Sequence, residues 1–247
     1  MSVAAPPRPA NSASANTAAD AESLAHLAAV GLFGGVSHDD LAPLARSLRR
    51  RRYPRGAVIF VEGDPGTTLF IIESGTVKIA LSTADGKELV IALLGRGDFF
   101  GDMAILDGEP RSADAVAKTD CQLLLLTRQD FLAFLDSHPK VAANLLANLS
   151  RRLRHNTTML QEAAFLDIPG RVASALLHLA DREGHPGPDG SVVIDSVYTQ
   201  AELAGHVGAT RESVNKWLRY YERQGLIRWG KGAVAILKPE ELRNRVY

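Results

Sequence analysis

Two stretches of this chain bring together side chains whose types and spacing can do recognition chemistry. The first runs Phe99-Phe100-Gly101-Asp102-Met103-Ala104-Ile105-Leu106 and returns through Pro110-Arg111-Ser112-Ala113. It reads as a glycine turn, a short apolar helix and a returning basic-hydroxyl pair. Backbone N–H groups at such a helix start, with a guanidinium and a hydroxyl converging, make an anion cradle. A lone arginine in a loop is more often a solvated charge, and it is this setting that makes Arg111 a candidate ligand. The second stretch begins at Thr210, which caps a helix with Val214, Trp217 and Leu218 on its inner face. The opposite face presents Arg211, Glu212, Asn215, Lys216 and Arg219. These types suit the major groove of DNA, where Arg or Lys donates to guanine O6 and N7 and Glu accepts from cytosine N4.

The surroundings of the second stretch strengthen that reading. Leu203, Ala204 and Val207 give a preceding helix its packing face, and Gly208 supplies a tight turn. Beyond Gly225, Leu226–Trp229 and Ala233–Leu237 flank Gly230-Lys231-Gly232 as a β-hairpin wing, with Lys231 placed to touch phosphate. A solvated amphipathic helix would carry the same charges, but it would not also carry the cap, the turn and the wing. Lys plus Arg and Asp plus Glu number 28 each, so net charge is silent about nucleic acid. From Arg211 to Arg245, however, nine basic residues face four acidic ones, the footprint of a DNA binder.

Enzymatic chemistry finds no support: no nucleophile–base pair, metal-ligand cluster or phosphate-transfer loop stands in a recognisable motif. Cys121 is the only cysteine, which excludes an intrachain disulfide framework and a cysteine-ligated zinc or iron–sulfur site. No apolar run has the length of a membrane span. Residues 1–20 are rich in Ala, Pro, Ser and Asn and lack a signal peptide's apolar stretch, so a disordered tail and a cytoplasmic location are expected.

The elements that must position these residues follow from periodicity. Leu24, Leu27, Ala28 and Val30 suggest a short opening helix, and Ser37 with Asp40 caps a second one carrying Leu41, Leu44 and Leu48. The block Arg49-Arg50-Arg51-Arg52 can be read as a nucleic-acid patch, but a solvated helix end entering an edge strand is favoured. Short β-rich runs (Ala57–Val61, Thr68–Ser74, Thr76–Leu81, Glu88–Leu94, Ala113–Ala117, Cys121–Thr127) separated by glycine turns predict an antiparallel sandwich or barrel. Helices are then expected over Asp130–Leu135 and Val141–Leu166. In the long one Leu146, Leu149, Leu153, Asn156, Leu160 and Ala163 recur at spacings of 3, 4, 3, 4 and 3, a heptad seam that predicts a parallel coiled-coil dimer. Asp167 and Pro169 start another helix after a hinge. It runs to about Arg182 and is followed by a loop over Glu183–Gly190 and a strand, Val192–Ile194.

Arg55-Gly56-Ala57-Val58-Ile59-Phe60, Glu62-Gly63-Asp64-Pro65-Gly66 and Phe70 through Ile79 resemble the cyclic-nucleotide-binding fold. With Ala164-Phe165-Leu166-Asp167 at the hinge and Thr210-Arg211-Glu212-Ser213-Val214 in the recognition helix, the chain from about Leu24 to Leu242 resembles the Crp/Fnr regulators, most of all the cyclic-AMP receptor type. The resemblance implies an α+β chain: a disordered tail (1–20), an effector-sensing antiparallel jelly-roll barrel (21–137), a dimerisation helix (138–166) and a winged helix-turn-helix (167–247). It also implies double-stranded operator DNA, a second copy of the chain and RNA polymerase as partners, cyclic AMP as allosteric effector, and no membrane.

Carried over residue by residue, the resemblance puts the cyclic phosphate on Arg111, Ser112 and nearby amides such as that of Gly101. Asp102 takes the place of the carboxylate that holds the ribose hydroxyl. The family usually has Glu there, one methylene longer. Asn156 and Thr157 fall where two adjacent hydroxyl residues hold the adenine. Asn156 can meet a base edge, adenine or another, or form a register-setting pair across the seam. Asp102 and Asn156 therefore keep open a different ligand, such as a cyclic dinucleotide, or DNA binding without any effector. The family's iron–sulfur sensor needs cysteines that are absent here, and haem would need an axial ligand, for which the long helix offers only His155. On the DNA, the resemblance implies a two-fold operator resembling TGTGA-N₆-TCACA, read by Arg211, Glu212 and Lys216.

Overall fold

Ser37 sits in an extended conformation and its hydroxyl accepts the Asp40 amide at 3.1 Å, while Leu41, Leu44 and Ala45 of the helix it starts are buried. A capped start and one apolar stripe suffice to form a short helix against a sheet. The computed structural model describes residues 12–84, 86, 88–187, 189–195, 198–230 and 232–246. The chain divides into two compact units, residues 1–78 with 93–150 and residues 79–92 with 151–247.

In order, the elements are α1 (Ser12–Ala29), a 3-10 turn (Gly31–Phe33), α2 (His38–Ser47), β1 (Arg49–Tyr53), β2 (Val58–Phe60), β3 (Thr68–Ser74), β4 (Val77–Ser82), β5 (Glu88–Leu94), β6 (Phe99–Phe100) and α3 (Asp102–Asp107). There follow β7 (Asp114–Ala117), β8 (Cys121–Thr127), α4 (Arg128–Ser137), the long α5 (Pro139–Phe165), α6 (Ile168–Glu183), β9 (Gly184–Pro186) and β10 (Val192–Ile194). The C-terminal elements are α7 (Gln200–Val207), α8 (Arg211–Arg223), β11 (Ile227–Trp229), β12 (Val234–Ile236) and α9 (Pro239–Arg243).

One sheet of the barrel runs β1-β8-β3-β6 and the other β2-β7-β4-β5. β3 and β8 pair antiparallel, and Leu69, Ile71, Leu124 and Leu126 bury one face against helices α1, α2, α4 and the start of α5 through Leu27, Phe33, Leu41, Phe131, Val141 and Leu145. Burial of that many large side chains, each stabilising by about 1.5–3 kcal/mol, is what holds this unit together. The arginine block is β1, an edge strand: Arg50 pairs with Glu73 at 2.5 Å and with Glu22 at 3.2 Å, and Arg51 lies 4.8 Å from the Tyr53 ring centre. Charge on an edge strand discourages pairing with other chains.

In the second unit Asp167 accepts the Gly170 amide at 2.9 Å to cap α6, whose inner face from Val172 to Leu179 is buried. The small sheet β11-β12-β10-β9 carries the wing. No described helix is long and apolar enough to cross a membrane.

Three expectations change. The tail expected over 1–20 lies outside the described residues as far as residue 11, but from Ser12 the chain is helix α1. Its alanine-rich run has high intrinsic helix propensity, which outweighs the low hydrophobicity. The loop expected over Glu183–Gly190 contains strand β9, which gains its backbone partners from β10. The two-residue strand β6 has no periodicity to reveal it and exists because β3 supplies its pairing.

Candidate effector site and nucleic-acid interface

Gly101 turns the chain from β6 into α3 with φ +79°, a left-handed value that glycine adopts without steric cost. Across from it Arg111 is only 5% exposed. Its Nη1 donates to the Gly101 carbonyl and its Nη2 to the Thr68 carbonyl, both at 2.8 Å. The guanidinium carbon lies 4.3 Å from the Phe60 ring centre and 5.6 Å from that of Phe70, and Phe70 stacks on Phe100. Two backbone bonds fix the loop that delivers it: the Gly63 amide donates to the Arg111 carbonyl and the Arg111 amide to the Asp64 carbonyl, each at 2.8 Å. Gly66 is a close approach as well, since a Cβ there would meet the Ala104 side chain and the guanidinium.

Burial lowers the pKa of Arg111, while Asp64 and Asp102 favour its charge. A guanidinium stays protonated in any case. Its Nε is buried without an acceptor. A cation taken out of water and only partly compensated gains most from an oxyanion that completes its bonding. Asp102, 2% exposed, opens α3 beside it, whereas Ser112 is exposed with its hydroxyl 3.5 Å from the Met103 sulfur.

The other recognition surface is built on α7 and α8. Thr199 and Glu202 form a reciprocal capping box at the start of α7, which ends at Gly208 with φ +62°. Thr210 then caps α8 by accepting the Ser213 amide at 3.2 Å. Val214, Leu218 and Tyr221 are buried, so the helix has only one way to face. That orientation leaves Arg211, Glu212, Lys216 and Arg219 exposed and Asn215 half-buried. The Tyr221 hydroxyl donates to the Pro169 carbonyl at 2.9 Å, tying α8 to the first turn of α6, and burial pushes the Tyr221 pKa up to about 12. The Lys216 ammonium lies 5.7 Å from the Trp217 ring centre, within cation–π range. A helix pair with this turn, presenting donors and one carboxylate at the start of the second helix, is a DNA-reading head.

A family model described as the cyclic nucleotide-binding domain matches residues 50–138, and one described as the Crp-like helix-turn-helix domain matches residues 170–245. The chain belongs to the Crp/Fnr family of transcription regulators. It is 38% identical over 219 residues to a CRP-like cAMP-activated global transcriptional regulator of Mycobacterium tuberculosis, covering 89% of this chain and 97% of that one. It is 39% identical over 205 residues to a cyclic AMP receptor protein of Thermus thermophilus, covering 83% and 91%. Among solved structures, the c-di-GMP responsive global regulator CLP of Xanthomonas campestris aligns with a TM-score of 0.70 at 26% identity, covering 81% of this chain and 99% of that one.

Within this Crp/Fnr chain, Gly101, Asp102 and Arg111 come together in the first unit, with Ser112 next to Arg111 in the loop before β7. Asn156 and Thr157 lie on the part of α5 that belongs to the second unit. Both are exposed, and the Thr157 hydroxyl donates to the Leu153 carbonyl at 3.0 Å. Lys231, expected at the tip of the wing, lies outside the described residues. Sequence reasoning missed the cage of Phe60, Phe70 and Phe100 and the Thr68 carbonyl. Their only signal was apolar residues alternating on strands, which is also what an ordinary core shows.

Proposed function

We propose that this regulator is a homodimer that binds cyclic AMP through Arg111 and, in response, a two-fold operator resembling TGTGA-N₆-TCACA through α8. The observation that carries the effector reading is Arg111 itself, a buried guanidinium whose Nε has no partner. The names of the relatives from Mycobacterium tuberculosis and Thermus thermophilus support cyclic AMP as its anion. In this reading Gly101, Arg111 and Ser112 hold the cyclic phosphate, Asp102 the ribose, and Asn156 and Thr157 the base. The sensing domain spans 21–137, the dimerisation helix 138–166 and the DNA-binding domain 167–247.

Leu146, Leu153, Leu160 and Phe165 are 64–83% exposed along α5. A stripe of that kind is unfavourable in water and supports pairing with a second copy across the heptad seam. The bases are read by Arg211, Glu212 and Lys216, with Thr210, Asn215, Arg219 and Lys231 on flanking bases or phosphates. The dimer acts in the cytoplasm, engages RNA polymerase, and catalyses no reaction. Ligand shifts the population toward a seam packing that sets two copies of α8 about one DNA turn apart. The coupling is reciprocal, so operator DNA tightens ligand binding by the same factor.

A second reading has a specific observation in its favour. Asp102 is one methylene short of the family's Glu and Asn156 is an amide, and the aligned Xanthomonas campestris regulator is described as c-di-GMP responsive. Here the pocket takes a different ligand, such as a cyclic dinucleotide, or none, and DNA binding needs no effector. Calorimetry of the purified protein against cyclic AMP, cyclic GMP and c-di-GMP decides between them. Preferred binding of cyclic AMP supports the first reading; preferred binding of c-di-GMP, or no binding at all, supports the second.

A further inference from the structure

His155 on α5, His178 on α6 and His206 on α7 gather within the second unit. The His155 and His206 rings lie 6.2 Å apart and nearly parallel, at 18°. Tyr198 stands 6.0 Å from His206, and the Glu162 carboxylate lies 3.7 Å from His178 while accepting the Ser174 hydroxyl at 2.5 Å. None of these groups belongs to the effector site or to the DNA-reading face.

The cluster touches β5. His206 Nδ1 lies 3.3 Å from the Val90 carbonyl. A carbonyl only accepts, so Nδ1 carries the proton and Nε2 is left as the basic nitrogen. Next to it Gly205 lets the backbones close: a Cβ there would lie 2.9 Å from the Val90 side chain and 3.0 Å from the Glu88 carbonyl. Val90 itself is fully buried. Strand β5 thus rests on the first helix of the reading head through one histidine and one glycine.

We propose that this contact is a proton-operated latch, in which β5 closes on α7 while His206 is neutral and releases it when His206 takes up a proton. The groups around the pair decide the direction. For both histidines burial is the largest influence and lowers the pKa. His178 and, for His155, Arg182 act the same way, as does the mutual repulsion felt by His206. Glu162 favours the charged forms, and the Val90 carbonyl favours that of His206, but both rank below burial. The remaining neighbours, Glu183 and Glu202, face Tyr198, whose pKa burial raises to about 12, so it stays neutral.

The closed latch therefore binds fewer protons than the open one. Closure is complete above the ordinary histidine value of about 6.5 and is lost as pH falls through it. Acid frees α7, and with it the element against which α8 is set. The latch involves neither a nucleotide nor DNA, so it stands or falls independently of the proposed effector.

The test is hydrogen exchange of the full-length protein at about pH 7.5 and about pH 5.5, on either side of the histidine range. Each variant is compared with the wild type at the same pH, which removes the intrinsic pH dependence of exchange. In His206→Asn the amide nitrogen takes the place of Nδ1 and donates without titrating. Gly205→Ala blocks the close approach but adds helix propensity to α7, so it should fold. The wild type should lose protection of β5 and α7 at the lower pH by about tenfold per unit of pKa shift. His206→Asn should show the same protection, at whatever level, at both pH values, and Gly205→Ala should be unprotected at both. If the wild type keeps its protection at the lower pH, or loses it equally with His206→Asn, the latch is wrong.

Discussion

The carbonyl of Gly101 accepts Nη1 of Arg111 at 2.8 Å, and a Cβ added to Gly101 would lie 2.5 Å from that same nitrogen. The left-handed turn and the buried cation therefore require each other. Gly101→Ala strains a backbone at φ +79° and displaces the guanidinium. We expect it to cost about 1–3 kcal/mol of stability and to weaken cyclic-nucleotide binding by about tenfold or more. Thermal unfolding and calorimetry on the same preparation measure the two effects.

Arg111→Leu removes the charge-assisted pair with the phosphate and leaves an apolar side chain among Phe60, Phe70 and Phe100. Cyclic-AMP affinity should fall by at least about 2 kcal/mol, while the variant stays folded and dimeric. A titration matching the wild type would show that the phosphate sits elsewhere.

Asn156 is exposed on α5 of the single chain. Asn156→Thr restores a hydroxyl and should raise the preference for cyclic AMP over cyclic GMP. Asn156→Leu should strengthen the dimer and weaken its dependence on ligand, because an apolar pair suits the heptad better. Competition binding reads the first and sedimentation the second; no change in either would remove Asn156 from both roles.

Arg211→Ala should cost about 1–3 kcal/mol per half-site and relax the preference at one guanine. Lys231→Ala should instead weaken all sequences alike and flatten the salt dependence by about one unit of slope. Selection from random DNA, followed by binding at several salt concentrations, separates base reading from phosphate contact. An enriched motif without two-fold symmetry, or one indifferent to Arg211→Ala, rules out the operator.

Tyr221→Phe deletes the hydroxyl that donates to Pro169 and nothing else. The lost bond should cost about 1 kcal/mol. Since it joins α8 to the start of α6, operator affinity should fall too, with base preference unchanged. A Phe variant with normal DNA affinity would leave the bond a purely structural role.

What the sequence determined by itself is what short-range rules encode. The Ser37, Asp167 and Thr210 caps, the glycine turns at 101 and 208, and the periodicities of α5 and α8 act over a few residues, so they can be read in order along the chain. The reading head was legible for that reason. A cap, a turn and one apolar face leave Arg211, Glu212, Lys216 and Arg219 only one side to occupy. The rest of the environment of Arg111 was not legible, because the Thr68 carbonyl and the phenylalanines come from β2, β3 and β6, brought to it by strand pairing. The same holds for β9, which exists through β10, and for His155 and His206, fifty-one positions apart in sequence yet ring to ring. Tertiary packing decided these. Burial and long-range pairing change a side chain's partners and its proton affinity without leaving any local mark in the sequence.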